Sequence, residues 1–118
     1  MEKSLITLIV PEEILEDFEY SGHELVSGVY RIHLTEKDDL EHKPISEANS
    51  KLVKDGYFNP VELQTYPLKG KEVFLYLKRR RWKVKGGTKD IYNNYDFHEK
   101  GMKATRDFGI FLKEIGRG

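Results

Sequence analysis

The chain has 118 residues, 34% of them charged, which suffices for one domain with a real core and is too little for two. It holds no cysteine, so disulfides, thiol catalysis and cysteine-ligated zinc are excluded. No apolar run reaches the roughly 18 residues of a membrane span. The start, with Leu5 to Val10, also lacks the basic lead and small-residue cleavage site of a secretory signal, so a cytoplasmic protein without membrane contact is expected. The net charge of zero hides an asymmetry: residues 1–62 carry 14 acids and 6 bases, and residues 63–118 carry 6 acids and 14 bases. One end should attract polyanions and the other repel them.

In chain order, Leu5 to Val10 alternates weakly and predicts a short strand. Pro11 suits a first helical turn, with Glu12 and Glu13 near the positive end of the helix. Ile14, Leu15 and Phe18 then share a face until Ser21-Gly22 stops the helix. Leu25 to Leu34 alternates as a half-buried strand, with Gly28 as a bulge. Thr35 to Lys43 reads as an exposed acidic loop. Ile45 to Gly56 fits either a helix ended by Gly56 or an extended segment turning at Asp55-Gly56, and the second is preferred. Tyr57 to Tyr66 predicts a strand interrupted by Asn59-Pro60, and Pro67 to Gly70 turns the chain into a central strand. Near the end, Asp96 and Glu99 have capping-box spacing. Phe97, Gly101, Ala104, Phe108, Phe111 and Ile115 recur at spacings of four and three, widened by Met102 and Leu112, which predicts an amphipathic helix of about five turns.

Charge and shape signals coincide between Tyr66 and Tyr92. From Lys69 to Lys89 there are nine Lys and Arg residues against one acid, Glu72. Val73 to Leu77 is β-branched and aromatic, a buried strand. Gly86-Gly87 offers a two-residue turn with positive φ at both positions, which pairs Trp82 with Ile91 and Lys83 with Asp90. The result is a basic hairpin. Its candidate nucleic-acid-binding residues are Arg79, Arg80, Arg81, Trp82, Lys83 and Lys85, with Lys69, Lys71 and Lys89 flanking them. The cations would meet phosphates. Trp82 could stack on a base or pack on Ile91 in the core, and its register favours packing. For the arginines nucleic acid is the better reading than a solvated face, because clustered arginine with little acidic compensation adds little stability.

Other chemistry has no pattern to stand on. His23, His33, His42 and His98 include no helical i, i+4 pair, so solvent-exposed histidines are a better reading than a metal site. No Gly-x-Ser-x-Gly frames a nucleophile. Gly86-Gly87 does not precede a helix, so it is not a phosphate loop. No cofactor and no catalytic residue are expected, and an enzyme is the third choice.

Tyr66-Pro-Leu-Lys-Gly-Lys71, Lys78-Arg-Arg-Arg-Trp82 and Phe111-Leu-Lys-Glu-Ile-Gly116 together resemble the amino-terminal-region proteins of ISAon-type insertion sequences, a branch of the ISL group. The similarity extends through Gly56-Tyr-Phe58 and the strand around Tyr30 to Leu34. Such proteins are short accessory partners of a separate catalytic transposase subunit. The resemblance implies recognition of duplex DNA at transposon ends, with catalysis by the partner's acidic triad. In the wider group the arginines lead into a zinc ribbon. Here Gly86-Gly87 stands at that place and no cysteine exists, so zinc is not carried over.

The expectation is therefore a single α+β domain over residues 1–118. An antiparallel sheet would run through strands near 25–34, 57–66, 72–84 and 88–92. A short early helix and a long late one would cover one face. Two functions follow: a non-catalytic DNA-binding accessory module of a transposase, or a protein-interaction module that docks the catalytic subunit without touching DNA.

Overall fold

A computed structural model describes residues 3–44 and 52–116. It is an α+β fold. A mixed sheet joins β1 (Phe18–Val26), β2 (Val29–Glu36), β4 (Val61–Leu68) and β5 (Lys71–Lys78) in the order β1-β2-β5-β4. A separate two-stranded ribbon pairs β3 (Leu52–Tyr57) with β6 (Arg80–Val84). Helices α1 (Lys3–Ile9) and α2 (Glu12–Leu15) lead the chain, and α3 (Arg106–Ile115) closes it.

The core lies between the sheet and the leading helices. On β5, Val73, Leu75 and Leu77 alternate with half-exposed Phe74 and Tyr76, so every second side chain enters the core. Register aligns Ile32 and Leu34 of β2 with Leu75 and Leu77, while Leu63 of β4 meets Leu75 from the other side. Ile6, Val10, Ile14 and Phe18 cover this row. Residues 5–9 are helical, and Val10 follows as a bend, where a strand was expected. Ile6 and Val10 stand four apart and are buried together, while Leu5 and Leu8 remain exposed. The second helix is likewise only one turn. Phe18 starts β1 instead of finishing that helix, and its ring packs edge-on against Tyr95 and Phe97 at 5.0 and 5.9 Å.

Two tight turns set the hairpins. Ser27 and Gly28 both have positive φ, 52° and 77°, and join Val26 directly to Val29, so Gly28 is a turn residue and not a bulge. The irregularity of β1 falls instead between Tyr20 and Gly22, where a helix stop was expected. Lys69 and Gly70, at 54° and 75°, make the same kind of turn between β4 and β5. Asp55-Gly56 does not reverse the chain; it sits at a register shift within β3. Residues 45–51 of the segment whose form was left open lie outside the described residues.

The sheet is not wholly antiparallel. β2 and β5 run parallel, from Tyr30 opposite Val73 to Thr35 opposite Lys78. They are not consecutive in the chain. The long passage from residue 37 to 70, which contains β3 and β4, returns the chain to the same direction. The expected strand 72–84 is two strands, broken at Arg79, with each half in a different sheet.

The final helix begins at Arg106, about two turns later than its apolar spacing suggested. Residues 97–105 form a tight extended loop, in which Glu99 N–H donates to the Ala104 carbonyl and Arg106 N–H to that of Phe97. Gly101, at φ 80°, turns this loop where a helix was expected. The loop is tied to the edge of β4, since Gln64 N–H donates to the Lys103 carbonyl and Thr105 N–H to that of Gln64. α3 therefore hangs from a sheet edge. Phe108 is buried with its ring 5.1 Å from Tyr66, while Ile110, Phe111 and Ile115 are exposed. Gly109 permits the close approach of α3 to the loop: a Cβ there would lie 2.3 Å from the Cβ of Glu99.

Candidate nucleic-acid interface

The expected pairing of Trp82 with Ile91 is present as a single bridge, in which each N–H donates to the other's carbonyl at 2.8 Å. Residues 88–92 otherwise form no strand. The strand partner of β6 is β3, which places Leu52 opposite Val84, Val53 opposite Lys83 and Lys54 opposite Trp82. The turn is also shifted by one residue. Gly87 N–H donates to the Val84 carbonyl at 2.7 Å, and of the two glycines only Gly86 has positive φ. Trp82, flanked on both sides, is 5% exposed and offers no face to a base.

The three arginines have three different fates. Arg80 is anchored inward. Its backbone N–H donates to a Glu36 carboxylate oxygen at 2.8 Å, its Nε–H to the Glu36 carbonyl at 2.9 Å, and an Nη to the Tyr57 hydroxyl at 2.9 Å. Glu36 is 1% exposed and also accepts from Asn93 Nδ2 and the Tyr95 hydroxyl. Burial, then the hydrogen bond to Glu36, pushes the Tyr95 hydroxyl up, so it stays a neutral donor. Asp38 approaches Arg80 at 3.7 Å and pairs with Lys54; the Lys54 hydrogen bond, with Arg80 behind it, holds this carboxyl below its ordinary value.

Arg81 faces outward and is held by Asp55 alone at short range. Its Nε–H donates to the Asp55 carbonyl at 2.8 Å, and the Asp55 and Asp90 carboxylates lie 3.6 and 4.0 Å away. Lys83 reaches the same Asp55 at 3.5 Å; the expected partner Asp90 goes to Arg81 instead, because β3 and not residues 88–92 lies alongside Lys83. About a third of each of these basic side chains remains exposed. Arg79 occupies the break between the sheets, its guanidinium carbon 4.9 Å from the Phe58 ring and 5.4 Å from the Tyr92 ring.

Lys85, within the Val84–Gly87 turn, and Lys89, two residues after it, are both exposed. Lys69 sits in the β4–β5 turn and Lys71 just after it, at the end of β5 away from β6. The eight candidate cations thus divide into an outward row (Arg81, Lys83, Lys85, Lys89), an inward anchor (Arg80), a sandwiched arginine (Arg79) and a pair at the other end of β5 (Lys69, Lys71). The missing signal was acidic: Glu36, Asp38 and Asp55 from the first half compensate Arg80, Arg81 and Lys83. Among the described residues no three His, Cys, Asp or Glu side chains gather to hold a metal ion, and no helix is long and apolar enough to cross a membrane.

Comparison with protein-family models, with curated proteins and with solved structures finds no match to this chain.

Proposed function

We propose that this chain is a non-catalytic DNA-binding accessory module of a transposase, seated on duplex DNA at transposon ends beside a separate catalytic subunit. The observation that carries the reading is the outward row on β6. Arg81 and Lys83 stand two residues apart on one face, about 7 Å along the strand, and the row continues into exposed Lys85 and Lys89. Asp55 orients the first two without burying them. Ion pairs exposed to this degree contribute only about 0 to 1 kcal/mol, so a DNA phosphate can take the place of Asp55 at small cost. The ribbon supplies phosphate contacts, which position a protein on DNA without reading bases, and Trp82 braces it from beneath.

A second reading has its own observation. Tyr66 is 45% exposed, and Phe111 and Ile115 on α3 are 42% and 59% exposed, an apolar face suited to docking the catalytic subunit. Salt separates the two. Four phosphate contacts give a slope of log affinity against log salt of about −3 to −4. Titration of the intact protein with duplex DNA at several salt concentrations should show that slope. A slope near zero, or no DNA binding at low salt, leaves the docking reading.

A further inference from the structure

We propose that a cleft beside Arg79 binds a small apolar carboxylate, one aromatic ring or a short alkyl chain bearing a single anionic head. The cleft measures about 230 Å³. Its walls include the buried side chains Phe18, Leu63, Leu77 and Phe97, and Arg79 and His98 supply its polar edge.

The unmet donor of Arg79 points to an anion. Arg80 and Arg81 each have carboxylates within reach, whereas Arg79 has no ion-pair partner among the described residues. Its Nε is buried and has no hydrogen-bond acceptor. The rings of Phe58 and Tyr92 hold the guanidinium in place, but they offer no lone pair to that N–H. A buried charged donor left unmet is rare in folded proteins, because its hydration is lost without replacement. A carboxylate answers it well, since the planar guanidinium fork matches two carboxylate oxygens. The apolar walls select the rest of the ligand. Sites for drug-sized molecules run to about 300–1,000 Å³, so this smaller cleft takes a single-ring or short-chain body. A strongly hydrated inorganic anion would gain nothing from Phe18 and Phe97. The site uses none of the outward row Arg81, Lys83, Lys85 and Lys89 on which the DNA reading rests.

Benzoate is the probe, with benzamide as its neutral counterpart and inorganic phosphate as a bare anion. Each is titrated into the isotope-labelled full chain, following the Arg79 Nε–H and Phe97 amide resonances. Benzoate should move both saturably, benzamide should bind at least about tenfold more weakly, and phosphate should fail to compete. Arg79→Gln should abolish the benzoate response. If that variant does not fold, the contrast between benzoate and benzamide on the unaltered chain decides. No response to benzoate, equal binding of benzamide, or equal competition by phosphate would each overturn the assignment.

Discussion

Residues 71–84 are one continuous stretch, yet its two halves are stabilised in opposite ways. β5 is the centre of the four-stranded sheet and is held by apolar burial: Val73, Leu75 and Leu77 are all under 5% exposed. β6 belongs to a two-stranded ribbon, whose attachment to the sheet runs through Arg80, buried Glu36 and the side chains of Asn93 and Tyr95. The first half needs only its own alternation to be placed. The second needs acids from elsewhere in the chain, and those acids decide which cations are free to bind anything. A run of like charge is therefore a poor map of a binding surface until its counter-charges are located.

The largest expected effect breaks the polar attachment. Glu36→Ala removes the carboxylate that accepts from the Arg80 backbone N–H, Asn93 and the Tyr95 hydroxyl, while the Glu36 carbonyl and Tyr57 still hold the Arg80 guanidinium. Chemical denaturation should show a loss of about 3 to 5 kcal/mol, because several buried donors are left unmet at about 1 to 3 kcal/mol each. A loss under about 1 kcal/mol would place the ribbon's stability elsewhere.

Two substitutions on one helix test the apolar side next. Phe108→Ala should cost about 3 kcal/mol in the same measurement, because Phe108 is 4% exposed. Phe111→Ala, at 42% exposure, should cost well under half as much. Equal losses would mean that α3 is packed more fully than its edge-on seat allows.

The smallest stability effect concerns His42, which lies between Asp17 and Asp39, with Nε2 3.0 Å from Asp17. Desolvation alone would lower its pKa, but the hydrogen bonds to Asp39 and Asp17 outweigh it and raise the value above 6.5. A raised folded-state pKa contributes stability that is fully present below the unfolded value and lost as pH rises through the folded one. Melting temperature should therefore fall as pH rises above about 6.5, and His42→Gln should flatten that fall. An unchanged pH profile in the variant would assign the dependence to another group.

How much of this was legible beforehand depends on the range of the interaction. The α+β class, the buried strand at Val73–Leu77 and the Trp82–Ile91 pair follow from neighbours within a few residues, and all three are present. The parallel pairing of β2 with β5 joins strands some 40 residues apart, which alternation cannot reveal. Helix α3 starts late because Thr105 and Gln64 share a backbone hydrogen bond across the β4 edge, and nothing in the spacing of Phe97, Gly101 and Ala104 announces that tie. At the candidate site, the shared face of Arg81 and Lys83 was readable from strand alternation, but the same alternation extended that face to Arg79, which the break before β6 places between Phe58 and Tyr92 instead. The capture of Arg80 by Glu36 was not, because an acid and a base 44 positions apart carry no local signature.

The most direct test of the account compares two charge removals in one DNA-binding assay. Lys83→Ala, Lys85→Ala and Lys89→Ala together should leave the melting temperature close to that of the parent. They should weaken duplex DNA binding by more than about tenfold at low salt and reduce the salt slope by about 2 to 3. Arg80→Ala should instead lower the melting temperature sharply. DNA affinity and slope that are unchanged in the folded triple variant would contradict the account.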